Sequence, residues 1–289
     1  MSKKHLAGLS FSDDAVQLAV IEQSDDGIEL QYLEESGRGG TDELWFLEPL
    51  RGLRDKKVAK ISRLSVALDN AGAFLHTFPL DTSLGQPEQN EQVNWELAAL
   101  VPGYQPKEYV NDLHVLKARA ADQVSDVMAV TVKRTVLYEV EQMLSKEKLE
   151  FHIADTNHFC SERALFMTHP EMNVRTVALA GITKDRVDVG LYANGQLAGY
   201  RYAPASGTQD VASFIKMCFD LWGSPEVYLH GTGISFEVTK ACRTALGGRL
   251  ATLNPFRRMR IAPAFRGFSK YLGQEHRFAA CIGSAVRKQ

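Results

Sequence analysis

Cysteine is sparse in this 289-residue chain: Cys160, Cys218, Cys242 and Cys281 stand far apart and form no C-x-x-C pair. That excludes a disulfide scaffold and the common zinc ribbons, and it fits buried thiols in a reducing compartment. No apolar run approaches the roughly 20 residues of a membrane-spanning helix, and residues 1–7 lack the apolar stretch of a signal peptide. A cytoplasmic location is expected. An excess of one charge is missing too, since 33 Lys+Arg against 35 Asp+Glu leave a net charge of -2. Nucleic acid is not an expected partner, because only Arg257, Arg258, Arg260 and Arg266 cluster, without interleaved aromatics. No G-x-S-x-G elbow occurs, and Ser235 reads as a helix cap rather than a nucleophile. His152, His158 and Cys160 match no zinc spacing, so no metal is expected.

What remains is an ordinary globular composition, 45% hydrophobic and 24% charged, long enough for one or two large cores. Its charge is unevenly spread. Residues 1–150 hold 16 Lys+Arg and 25 Asp+Glu, a balance of -9, whereas residues 151–289 hold 17 and 10, a balance of +7. Two halves of opposite sign can face each other or present different surfaces to different partners.

The pattern opens as an antiparallel meander, with strands predicted over 5–11, 15–22 and 28–33 and turns at Ser12-Asp13-Asp14 and Asp25-Asp26-Gly27. A helix is expected after Thr41, then a strand over 64–68. The same order returns about 170 residues later. Strands are predicted over 174–180, 186–193 and 196–203, the last pair joined by Asn194-Gly195, the strongest short hairpin signal. Val211, Phe214, Ile215, Cys218, Phe219 and Trp222 then follow the spacing of one buried helix face, with Thr208 as the expected cap and Gly223 at the end. A strand over 226–230, a helix with Ile234, Val238, Ala241, Cys242 and Ala245 on one face, and a strand over 250–253 complete the unit.

Two-to-five-residue turns leave no room for crossover helices between the early strands, so a doubly wound parallel sheet is excluded. The fold class expected is α/β, a duplicated actin-like (ribonuclease H-like) fold. Between its halves, strand, helix, strand, strand, helix over 73–144 suggests an inserted small α+β (SHS2-like) subdomain. The expected boundaries are a first half over 1–70, the insertion over 71–148, a return over 149–172, a second half over 173–262, and a C-terminal segment over 263–289 rejoining the first half.

Several segments in order resemble the PilM family of type IV pilus assembly proteins, which are actin-like and related to the cell-division protein FtsA. They are Gln92-Val-Asn-Trp95-Glu96-Leu-Ala-Ala-Leu-Val-Pro102, Asp112 in the next strand, Phe151-His-Ile-Ala-Asp155 with Phe159 and Arg163-Ala164, Asn254-Pro255-Phe256, and the terminal run from Phe278 through Gly283 to Arg287. The resemblance spans 6–287. It implies a scaffold at the inner face of the inner membrane that binds the cytoplasmic N-terminal peptide of a PilN-like inner-membrane protein beside the inserted subdomain. Other pilus assembly proteins are further expected partners, and self-association is open.

The resemblance also implies a nucleotide cleft, with phosphates held by the first turn of each meander. Here Ser10 stands where the family has Asp and Ser12 near its Gly position, followed by Asp13; the second turn, Leu179-Ala180-Gly181-Ile182-Thr183, lacks the carboxylate as well, although Asp185 is near. Gly231-Thr232-Gly233 has the form of an adenosine loop or of a plain helix-start turn. Asp155 is either a surviving cleft carboxylate or an acid at a helix N-terminus. The degenerate cleft expected is therefore Ser10, Ser12, Asp13, Asp155, Gly181, Thr183, Gly231 and Gly233, with no catalytic residue and no ATP hydrolysis. The alternative is an ATP/Mg-dependent switch, or a small-molecule kinase, on the same fold. Among aromatics, Trp95 is expected in the core, and Trp45 and Phe46 on a contact surface.

Overall fold

A computed structural model describes residues 4–12, 14–37, 47–55, 61–119 and 123–287. Trp45, Phe46 and Asp13 lie outside the described residues.

The first half is a six-stranded sheet. Strands β1 (Lys4–Phe11), β2 (Ala15–Ser24) and β3 (Gly27–Gly37) form the antiparallel meander, and α1 (Glu48–Asp55) lies against β2 and β3. Strand β4 (Arg63–Leu68) then runs parallel to β1. The chain leaves the sheet through β5 (Phe74–Asp81), α2 (Gln86–Leu100), β6 (Tyr109–Arg119), β7 (Val124–Lys133) and α3 (Arg134–Lys146), and returns as β8 (Glu150–Thr156), parallel to β4. The excursion forms its own three-stranded antiparallel sheet, β5-β7-β6. Its small core of Phe78, Leu80, Val93, Leu97, Val127 and Ala129 fixes α2 to one face.

After α4 (Asn157–Thr168), the meander repeats as β9 (Thr176–Ile182), β10 (Arg186–Ala193) and β11 (Gln196–Pro204). Helix α5 (Thr208–Leu221), β12 (Glu226–His230), α6 (Phe236–Ala245) and β13 (Leu250–Thr252) follow. The strand order β11-β10-β9-β12-β13 repeats the order β3-β2-β1-β4-β8 of the first sheet, to which β14 (Arg260–Ile261) adds beside β3. In both halves the outer strand pairs of the meander are antiparallel and the later strands are parallel. The chain ends in α7 (Ala279–Val286), which packs on β1, β4 and α4.

Strand β9 shows how the halves are joined. Its alternate residues Val177 and Leu179 belong to the large core shared with the first sheet, while Ala178, Ala180 and Ile182 face α5 and α6. A strand buried on both faces reads as a continuous apolar run rather than an alternating one. The shared core contains Phe159 and Leu165 from the first half beside Tyr192, Tyr228 and Phe278, so the two sheets are packed as one body of apolar contacts.

Local chemistry accounts for most boundaries. Asn194 and Gly195 both take positive φ, 52° and 73°, as a two-residue hairpin turn requires. Ser235 Oγ accepts from Val238 N–H at the start of α6. Two expectations are corrected. Thr208 does not cap α5: the cap position is Gly207, and Ser206 instead donates its N–H and hydroxyl to Asp210 in the first turn. Trp95 is not in the core but 69% exposed. Val93 and Leu97 fill the inward side of α2, and Trp95 lies on the other side of the helix with Glu88 and Glu91.

Candidate functional site

The end of β1, the β9–β10 turn and the loop after β12 converge between the two halves. They line a cavity of about 30 Å³ with Ser10, Ser12, Gln17, Asn70, Asn157, Gly181, Thr183, Asp188, His230, Gly231, Thr232 and Arg277 around it. Ser10, Ser12, Gly181, Thr183 and Gly231, named from sequence, are thus brought together. Gly233 lies just behind, its N–H donating to Ile182 carbonyl at 2.9 Å. Asp155 does not line the cavity: its Oδ1 accepts from Thr156 N–H at 2.7 Å and its other oxygen pairs with Arg287. Asp185 sits exposed at the β9–β10 turn and is not part of the lining.

A chain of side-chain bonds crosses the first-half wall. Ser10 Oγ donates to Gln17 Oε1 at 2.7 Å, and Gln17 Nε2 donates to Glu35 Oε2 at 3.0 Å. Arg277 donates to both Glu35 oxygens, at 2.9 and 3.1 Å, and through Nη1 to Thr232 carbonyl at 3.0 Å. This relay ties the first meander turn to the Gly231-Thr232-Gly233 loop. The fork-on-fork geometry is the strong form of an ion pair, and both partners are only 20% exposed.

On the second-half wall, Asp188 is a buried carboxylate that the sequence motifs did not flag. Arg186, two residues earlier on the same strand face, donates to it at 2.7–3.0 Å, and Tyr200 hydroxyl donates at 2.6 Å. The i, i+2 spacing of Arg-x-Asp on a strand is the signal that could have found the pair. The carboxylate is therefore already neutralised.

Beneath lie two imidazoles. His158, at the start of α4, reaches from the first half into the second, with ring centroids 5.7 Å from His230 and 4.9 Å from Tyr200. A Cβ on Gly190 would lie 2.5 Å from His158 Nε2, and one on Gly181 2.8 Å from His230 Nε2, so both glycines are required by close approach. Burial pushes His158 down to about 3, with the Arg186 charge adding to it, and lowers His230 strongly in the same direction. Both rings are neutral at neutral pH.

A cavity of about 30 Å³ holds a water or two, against the roughly 300–1,000 Å³ of small-molecule sites. The cleft in this conformation is closed by its own side chains. Larger hollows lie elsewhere among the described residues, two of them near the cleft and the end of α7. One, of about 880 Å³, adjoins the cleft at Arg277 and is lined by Ser235, Phe236, Lys240, Arg243, Gln274 and His276 among others. The other, of about 840 Å³, opens on the first sheet where α7 ends, between Lys4, Leu6, Gln23, Arg63, His152 and Arg287. Among the described residues no group of His, Cys, Asp and Glu could hold a metal, and no helix is long and apolar enough to cross a membrane.

Known structures define the class. A chain of the PilM-PilN type IV pilus biogenesis complex is similar to this one at TM-score 0.75 and 18% identity over 98% of both chains. A Bacteroides thetaiotaomicron protein with actin-like ATPase fold and unknown function is similar at 0.52 and 11%, over 87% of this chain and 91% of that one. A ROK family glucokinase from Streptomyces griseus, in complex with glucose and AMPPNP, is similar at 0.50 and 8% over 98% of both. No family model matches the sequence, and no curated protein matches it. The fold is actin-like.

Proposed function

We propose that this chain is a PilM-like scaffold of type IV pilus or related secretion assembly, acting without ATP hydrolysis at the cytoplasmic face of the inner membrane. Its partner on this reading is the N-terminal peptide of a PilN-like inner-membrane protein. The end-to-end likeness to the PilM-PilN complex supports the partner, as do the residues around Trp95, Asp112, Asp155 and Gly283. The observation that carries the scaffold role is the closed cleft. A triphosphate needs unpaired cations and space, whereas the lining's one arginine, Arg277, is committed to Glu35 and the cavity holds about 30 Å³.

The peptide site proposed is the groove of about 840 Å³ at the end of α7. The sheet face that α7 covers at Gly8 continues at Leu6, two residues away on the same face, which is half-buried in the groove lining. Arg287 closes the groove's corner, pairing with Asp155 within the field of Asp112 on β6, so the groove meets the excursion sheet there. An extended segment resting a side chain on Leu6, among Lys4, Arg63 and Arg287, is ordinary peptide recognition.

Fluorescence anisotropy with labelled N-terminal peptides of PilN-like proteins tests this: saturable binding lost in Leu6→Glu is expected. No binding by any such peptide sinks the pilus reading. A nucleotide-dependent switch is the second reading, favoured by the hollow of about 880 Å³ beside the Gly231–Gly233 loop with Lys240, Arg243 and Arg277. Isothermal titration with ATP and Mg²⁺ separates the two, since micromolar affinity overturns the silent cleft.

A further inference from the structure

The chain passes from the first sheet to the second between α4 and β9 and returns between β13 and β14. Behind the cleft, apolar residues of both halves pack together around Phe159, Leu165, Tyr192, Tyr228 and Phe278. Two packed bodies joined in this way can turn on their shared contact unless something on the open side holds them. Two catches stand on that side. One is the run His276-Arg277 leading into α7: Gly231 N–H donates to His276 carbonyl at 3.2 Å, and Arg277 reaches Thr232 carbonyl while forked onto Glu35. Both ends of that ion pair are still 20% exposed, so water can replace its bonds as they part.

The other catch is His158, which is fully buried. Its root is fixed to the first half. His158 N–H donates to Asn70 Oδ1 at 3.2 Å, the neighbouring Asn157 amide donates to Phe11 carbonyl at 2.6 Å, and α4 lies so close to α7 that a Cβ on Gly283 would fall 1.7 Å from Cys160 carbonyl oxygen. The ring itself stands in the second half. Tyr200 meets it edge-on at 4.9 Å between centroids, Tyr192 lies nearly parallel to it at 6.3 Å, and His230 is 5.7 Å away. Gly190 and Gly181 form the floor, where added Cβ atoms would lie 2.5 Å from Nε2 and 3.6 Å from Nδ1 respectively. Those glycines sit on the paired strands β9 and β10, so the floor is backbone that does not swing aside.

Neither ring nitrogen has a hydrogen-bond partner among the described residues. A ring kept for its polarity is paired at such depth, so this one works through its shape. We propose that His158 is a lock between the halves: its ring, rooted in the first and socketed in the second, blocks their rotation on the shared core and keeps the cleft closed. A close-packed socket yields in discrete steps rather than continuously, so the ring must leave it before the halves can turn. The lock needs neither the pilus partner nor a nucleotide. It holds the groove at the end of α7 at a fixed angle to the second half, which suits a scaffold, whereas a switch on this fold would first have to withdraw the ring.

Double electron-electron resonance on the full chain tests the lock, with nitroxides at Asp25→Cys on the β2–β3 turn and Lys184→Cys on the β9–β10 turn. Both positions are exposed, and the four native cysteines are buried. The doubly labelled parent is expected to show one narrow distance. His158→Ala, which empties the socket, is expected to lose it for a broad distribution. His158→Phe, which refills the socket without ring nitrogens, is expected to restore the narrow distance. Circular dichroism confirms that each variant is folded, and His158→Leu, expected to broaden the distance in part, replaces His158→Ala if that variant does not fold. A broad distribution in the parent, an Ala or Leu variant as narrow as the parent, or a Phe variant as broad as the Ala or Leu variant overturns the proposal.

Discussion

Arg277 forks onto Glu35 across 242 positions of sequence, Nε to Oε2 at 2.9 Å and Nη2 to Oε1 at 3.1 Å. This one pair joins the segment before α7 to the edge of the first meander. Through Gln17 and Thr232 it links the two loops that face each other across the cleft.

Removing one partner leaves the other short of bonds in a mostly buried place. Arg277→Ala should lower stability by about 1–3 kcal/mol in urea denaturation. It should also speed amide exchange at Gly231 and Thr232, because the Nη1 bond to Thr232 carbonyl is lost. Unchanged exchange there would show that the relay does not hold the loop.

Gly190→Ala puts a methyl group against His158. A cost of about 1–3 kcal/mol is expected from the forced displacement. The double variant Gly190→Ala/His158→Ala should cost clearly less than the sum of the two single changes, since removing the ring removes the clash. Additive costs would mean that the ring and the glycine are not in contact.

Acid should weaken the fold through its histidines. His158, pushed down to about 3 by burial, binds no proton in the folded chain while the unfolded chain binds one below about 6.5. Its contribution is whole above pH 6.5 and is lost as pH falls toward 3, with a slope of up to about 1.4 kcal/mol per pH unit. His230 acts in the same direction. Glu162, raised to about 7 by burial, acts oppositely: its contribution is whole below about 4.5 and is lost as pH rises toward 7. The histidines and Glu162 oppose each other between about 4.5 and 6.5; below 4.5 the histidine contribution is joined by Asp81, Glu171, Asp210 and Glu237, whose carboxyls hydrogen bonds hold below the usual range. Melting curves of His158→Phe should show a shallower limb there.

Trp95→Ala should change stability by less than about 0.5 kcal/mol, because the indole is 69% exposed. Thermal melts measure this. A loss of several kcal/mol would return Trp95 to a packing role.

Much of the architecture could be read from local pattern. The Asn194-Gly195 turn, the alternation through β10, the helical spacing from Val211 to Phe219 and the Ser235 cap all act over a few residues, where backbone geometry and side-chain type decide the outcome. The repeat of meander, helix, strand, helix, strand was visible for the same reason. Trp95 was misread because spacing identifies an apolar face without saying whether a core lies against it. Here Trp95, two residues from both Val93 and Leu97, lies on the side of the helix away from the one they fill.

The sequence by itself determined most strands and turns and the duplicated order. Only the tertiary structure decided what fills the cleft, because Glu35, Asp188, His158, His230 and Arg277 come from separate elements and share no spacing. It turned Asp155 away toward Arg287 and supplied Asp188 with Arg186 and Tyr200. A buried charge is tolerated only where partners converge on it, and that convergence is set by how the two sheets pack rather than by any run of neighbouring residues.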